Sequence, residues 1–179
     1  MSGPCRIVLA LSLLAAIPNA ASAKGTESAG VAVAIALPLL AGGYAIYQDD
    51  WTGVAQLGVD TFGTVGTAYL LKNIVREQRP DKSDYQSFPS DTSALAFAPA
   101  QFLWDRYGWE VGLPAYAAAG FVGWSRIDAK QHHWYDVAAS AGLAFGFSKI
   151  FTTRYRPRGL SYGVNYAPGG GYAALEYRF

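Results

Sequence analysis

Lys72 and Arg79 stand seven residues apart, and Pro80 follows Arg79 at once. On an uninterrupted helix that spacing is about two turns, which puts both cations on one face. Arg126 lies six residues before His132, and Asp136 lies four after it. If that stretch is helical, His132 and Asp136 share a face, and the carboxylate can hold one ring nitrogen while the other stays free to attack. Lysine offers a point charge and arginine a planar fork, the two means of holding phosphoryl oxygens as they gain charge. The chemistry these residues permit is attack by His132 on a phosphate surrounded by Lys72, Arg79 and Arg126. His133 is the neighbouring candidate, but the residue four positions on is Val137, which cannot orient an imidazole. A plainer reading makes Lys72, Arg76 and Arg79 the basic flank of a membrane helix, with His132 and Asp136 interfacial beside Trp134 and Tyr135.

The elements that must position these groups are unusually apolar. Of 179 residues, 51% are apolar and 15% charged, with 20 glycines, against about 25% charged in soluble domains. That shortage of charge points to a membrane. The length fits one domain with a real core, and a net charge of +1 recruits no partner through an overall field. No basic stripe stands outside the short cluster Arg154, Arg156 and Arg158, so nucleic acid is not an expected partner, and that cluster suits anionic lipid headgroups better. Cys5 is the only cysteine, so no intrachain disulfide forms. Arg6, the apolar run Ile7 to Ile17 and the small residues Ala21-Ser22-Ala23 read as a signal peptide over residues 1–23, with an uncleaved anchor as the alternative.

Ser28 to Tyr47 and Trp51 to Ile74 read as a helical hairpin, with Asp50 placed to cap the second helix. Residues 80–91 carry two prolines and form a loop. Thr92 to Trp104, Val111 to Trp124 and Trp134 to Phe151 are further apolar runs, the first two of borderline spanning length and equally able to be buried helices of a soluble protein. Counting crossings from an exported amino terminus brings the Lys72 to Ser90 loop and the Ser125 to His133 loop to the same outer side. It also places the arginine cluster inside. A domain over residues 24–158 would thus precede a Gly/Tyr-rich extended tail over 159–179, whose end alternates like a strand. A membrane β-barrel fits poorly, because no ladder of alternating segments precedes that tail.

At this point the chain resembles the type 2 phosphatidic acid phosphatase (PAP2) superfamily, which includes bacterial acid phosphatases and vanadium haloperoxidases. The family's first motif, Lys, six residues, Arg-Pro, is matched by Lys72 to Pro80. The third, Ser-Arg, five residues, His, three residues, Asp, is matched by Ser125, Arg126, His132 and Asp136. The resemblance covers roughly Trp51 to Phe151. It implies an all-α, multi-helix membrane bundle of the PAP2/haloperoxidase type. It makes His132 the nucleophile that becomes phosphohistidine, Asp136 its orienting group, and Lys72, Arg79 and Arg126 the phosphate ligands, with no metal or other cofactor required. Many members dephosphorylate lipids at the outer face of the inner membrane. The implied substrate is a lipid phosphate or diphosphate, or another small phosphate ester, and the implied place is the bacterial inner membrane, multi-pass, with the site facing the periplasm. A soluble periplasmic enzyme is the alternative.

The family's second motif, Pro-Ser-Gly-His, departs. The chain reads Pro89-Ser90-Asp91-Thr92, so Ser90 is kept as a phosphate ligand while Asp91 stands where Gly-His is expected. Three consequences stay open. Asp91 serves as the general acid if bound phosphate raises its pKa; His133 substitutes for it; or the protein binds phosphate or phospholipid and turns over poorly. Vanadate in the same pocket, as in a haloperoxidase, is a weaker reading.

Overall fold

A computed structural model gives the conformation of residues 23–156, 159–167 and 170–178. The proposed signal segment, including Cys5, lies outside the described residues apart from Ala23. Five helices are described: α1 (Ala23–Tyr47), α2 (Trp51–Ile74), α3 (Asp91–Tyr107), α4 (Trp109–Asp128) and α5 (Trp134–Phe151). They form an all-α domain, and α1 contains a segment, Gly25–Tyr47, long and apolar enough to cross a membrane.

The connections between helices have local causes. Asp50 caps α2 by accepting from the Gly53 amide at 2.9 Å. The same carboxylate receives Arg106 at 2.5 Å and the Tyr107 hydroxyl at 2.7 Å, which pins the end of α3 to the α1–α2 turn. Gly108 turns α3 into α4 with φ of +102°, a region that side chains with a Cβ disfavour. Ser90 caps α3: its Oγ accepts from the Ser93 amide at 3.3 Å.

Helix α3 packs against all four other helices and is the centre of the bundle. Its alanines 94, 96, 98 and 100 are fully buried, which lets neighbouring backbones come close, and Phe102 fills the remaining space. The distribution of polarity is inverted relative to a water-soluble helix bundle. Asp60, Thr64, Ser140 and Ser148 are fully buried, while Leu39, Phe62, Leu70, Leu113, Phe145 and Ile150 face outward.

Two differences from the sequence reading bear on the site. Helix α2 ends at Ile74, so Lys72 and Arg79 do not share a helical face; Arg79 stands in the following loop. Ser125 and Arg126 belong to the last turn of α4, which continues to Asp128 instead of ending at Trp124. After the helices, β1 (Gly159–Ala167) and β2 (Gly170–Arg178) pair antiparallel, Gly159 opposite Arg178 through Ala167 opposite Gly170. The expected extended tail is therefore a two-stranded hairpin, and among the described residues it contacts no helix.

Candidate active site

The end of the bundle that holds the C-terminus of α2, the N-terminus of α3, the C-terminus of α4 and the start of α5 carries Lys72, Asp91, Arg126, His132 and Asp136, with Arg79 in the loop after α2. Lys72, on the last turn of α2, is buried and donates to Asp91 Oδ1 at 2.9 Å. Arg79 is reached through a loop that braces itself, the Arg79 amide donating to the Asp84 carbonyl at 3.0 Å and the Ser83 amide to Asp81 at 2.9 Å. Its guanidinium donates to Asp84 at 2.8 Å and also to Gln131, just before His132. Arg126 is 4% exposed. It donates to the Glu27 carbonyl at 2.6 Å and lies 3.5 Å from that residue's carboxylate. Helix α1 can bring Glu27 there because Gly30 faces Ser125: a Cβ at Gly30 would lie 2.8 Å from that of Ser125 and overlap its hydroxyl.

His132 is 2% exposed and sits one residue before the cap of α5, its amide bonded to the Arg126 carbonyl at 3.3 Å. Its Nδ1 lies 2.7 Å from the Ser87 carbonyl and 3.6 Å from Asp136 Oδ2. A carbonyl can only accept, so Nδ1 carries a proton, and in the neutral ring the lone pair is on Nε2. The expected orienting partner, Asp136, thus acts largely through a residue that spacing did not reveal. Its buried carboxylate accepts from Ser87 Oγ at 2.5 Å and from the His133 amide at 2.8 Å, fixing the segment whose carbonyl holds His132. Ser87 lies two residues before the altered second motif, and only that nearness could have marked it.

Ser87→Ala tests this arrangement. Removing the hydroxyl leaves the carbonyl in place but takes a donor from a buried carboxylate, an interaction of roughly 1.5 kcal/mol or more. If the site is catalytic, kcat falls about tenfold with KM nearly unchanged. An unchanged kcat would show that the Ser87 hydroxyl does not help hold the imidazole.

The two residues of the second motif lie in different settings. Ser90 is fully buried, and its Oγ is engaged with Ser93, 2.9 Å from that hydroxyl, so in this structure it serves the helix end. Asp91 opens α3, ahead of its apolar run. Burial pushes its carboxyl up, but the Lys72 ammonium, helped by His132 and the Thr92 amide, outweighs burial and holds it below the usual carboxylate range. His133 Nδ1 is 3.3 Å from Ser87 Oγ and 3.5 Å from Asp136 Oδ2, the same oxygen that His132 Nδ1 faces. The site therefore brings together Lys72, Arg79, Arg126, His132 and Asp136, and joins an anion, Asp91, to one of its three cations.

Comparison with known proteins agrees with the motifs. The family model for the PAP2 superfamily matches residues 53–159. A lipid A 4'-phosphatase of Helicobacter pylori is 32% identical over 133 residues, covering 68% of this chain and 67% of that protein. The crystal structure of Aquifex aeolicus LpxE has the same fold, with a TM-score of 0.54 and 21% identity over 67% of this chain and 83% of that one. With both outer motifs in place around one buried histidine and the family model spanning most of the helical domain, the chain belongs to the PAP2 superfamily.

Proposed function

We propose that the protein is a metal-independent phosphatase that hydrolyses a lipid phosphate or diphosphate through a phosphohistidine on His132. The observation that carries this reading is the Ser87 carbonyl on His132 Nδ1, which leaves Nε2 bare at the end of the bundle where three cations gather. Nε2 attacks phosphorus and the bond to the leaving oxygen breaks. Water then attacks the phosphohistidine and releases inorganic phosphate, returning the electron pair to Nε2. Lys72, Arg79 and Arg126 exchange their present protein oxygens for phosphoryl oxygens and take up the charge that develops on them. The negative charge of Asp136 stabilises the ring while it is positively charged.

Asp91 is the residue we assign to protonate the leaving oxygen. Paired with Lys72 it is ionised at neutral pH, so it can donate only after the phosphate dianion displaces it from the ammonium and raises its pKa. The sign of the pH dependence follows. The Asp91-dependent rate on alkyl phosphates, whose leaving groups need a proton, rises as pH falls from about 8 toward 5. Asp91→Ala should lower alkyl-phosphate turnover by about 10²-fold, flatten that rise, and change aryl-phosphate turnover by only a few-fold. Equal losses on both substrate types would remove Asp91 from the role of acid and leave His133 to be tested.

The substrate class rests on the surface and on the relative named for lipid A dephosphorylation. Trp51 and Trp109 are exposed at one end of the bundle, Trp124 and Trp134 at the other, with outward-facing leucine, isoleucine and phenylalanine between them. Aromatic residues at two levels around an apolar girdle support a multi-pass inner-membrane protein. The site then faces the periplasm by the crossing count, within reach of a headgroup at the bilayer surface. A second reading, a phosphate- or phospholipid-binding protein with impaired turnover, is favoured by Asp91, which occupies Lys72 and repels an incoming dianion.

Release of phosphate by detergent-solubilised protein in chelator, from an aryl phosphate and a panel of lipid phosphates, separates the two. Turnover on the lipids supports the phosphatase; phosphate or vanadate binding without turnover supports the binding protein.

A further inference from the structure

We propose that Glu77, His133 and Asp136 form a site for a zinc-class divalent cation that inhibits the phosphatase by taking the carboxylate behind the nucleophile. Glu77 comes from the loop after α2, His133 and Asp136 from the start of α5, and their ligand atoms all lie within 4.8 Å of one another. His133 Nδ1 is 3.5 Å from Asp136 Oδ2 and 3.9 Å from Glu77 Oε1. A tetrahedral ion with bonds of about 2.0–2.1 Å to nitrogen and oxygen sets its ligands about 3.4 Å apart. The two pairs that include His133 are within about half an ångström of that separation, and the Glu77–Asp136 pair closes by up to about 1.4 Å through rotation of the partly exposed Glu77 side chain.

The chemistry of the set is selective. One imidazole with two carboxylates suits zinc and its neighbours, whereas magnesium and calcium prefer oxygen ligands alone. Glu77 and His133 are partly exposed, giving an entry path and room for water as a fourth ligand. A separate observation points to a missing partner. Asp136 is fully buried, yet its Oδ1 has no hydrogen bond among the described residues. A cation on this carboxylate gives that oxygen a counter-charge.

Occupancy would act on His132 through Asp136. Oδ2 accepts from Ser87 Oγ at 2.5 Å and faces His132 Nδ1 at 3.6 Å. A dication competes with the Ser87 hydroxyl for that oxygen and cancels the negative charge that favours a cationic imidazole. The inhibitory half of the proposal rests on the phosphatase reading above; the binding half does not.

The test is calorimetric titration of the full chain in detergent with Zn2+ and separately with Mg2+, beside Glu77→Leu and His133→Phe, followed by phosphate release at each Zn2+ concentration. Folding of each variant is checked by its thermal transition. One Zn2+ per chain is expected, with affinity lowered at least tenfold in each folded variant and no comparable Mg2+ binding. In Glu77→Leu the concentration of Zn2+ that halves activity should rise by the same factor as its Kd. Absence of Zn2+ binding, affinity unchanged in a folded variant, or full activity at saturating Zn2+ overturns the proposal. Because binding is read without substrate, a chain that takes up Zn2+ here but releases no phosphate in chelator would defeat the phosphatase reading and leave the cation site standing.

Discussion

His132→Ala is expected to abolish phosphate release, by on the order of 10⁴-fold or more on every substrate, aryl phosphates included. An aryl phosphate forgives a missing proton donor, because its leaving oxygen departs as a stable anion. It does not forgive a missing nucleophile, since the first step of the proposed mechanism is formation of the N–P bond. His132 is held where no neighbour can replace it: it is 2% exposed, and its Nδ1 is committed to the Ser87 carbonyl. His133 is adjacent in sequence, but its Nδ1 faces Ser87, Asp136 and Glu77. Rapid acid-free quenching of the wild type with a lipid phosphate should trap an acid-labile phosphoryl group on the protein, and the variant should trap none. Residual turnover of a tenth of wild type in the variant would sink the phosphohistidine mechanism. The substitution should leave the fold intact, because the side chain lies at a helix entrance and not among the packed alanines of α3.

The first and third motifs were readable as chemistry because charge and spacing within a few residues define them. What spacing could not give was the partner across the fold. Asp136, four residues from His132, comes within 3.6 Å of its Nδ1, and the chain brings the Ser87 carbonyl, 45 residues away in sequence, closer, to 2.7 Å. A backbone carbonyl leaves no mark in residue types. Asp91 shows the same limit from the other side: its identity announced an altered motif, but its pairing with Lys72 depends on how α3 meets α2. The helices were legible from apolar runs broken by Asp49-Asp50, Pro80 and the stretch Asp105 to Glu110. Their ends were less so, because Asp91 and Asp128 read as loop residues when local polarity is the only guide. The hairpin was half legible. The alternation of Tyr172 to Phe179 marked β2, whereas glycine and asparagine in β1 obscured the partner strand.

Arg126→Ala should lower kcat/KM by about 10²- to 10³-fold, the usual cost of removing one donor aimed at developing charge in a water-poor site. Arg126 differs from Lys72 and Arg79 in what it must give up to bind. Lys72 holds an aspartate side chain, which can swing aside, and Arg79 holds the Asp84 and Gln131 side chains with only a long 3.4 Å bond to the Gln131 carbonyl, whereas Arg126 donates to the main-chain carbonyl of Glu27 at 2.6 Å. That contact is anchored by α1, where Gly30 lies against Ser125. Glu27 engages both terminal nitrogens, and Nε lies 3.4 Å from Ser125 Oγ, so phosphate must either displace Glu27, moving the first turns of α1, or use the second N–H of each terminal nitrogen. Arg126→Lys separates these cases, because an ammonium keeps the charge but loses the fork. If the guanidinium binds phosphate in the fork geometry, lysine recovers little, and vanadate affinity falls nearly as far as in Arg126→Ala. If charge alone matters, lysine restores most of the activity and Glu27→Gln has little effect. Near-complete activity in Arg126→Ala itself would remove this residue from the phosphate site and leave Lys72 and Arg79 to hold the oxygens without it.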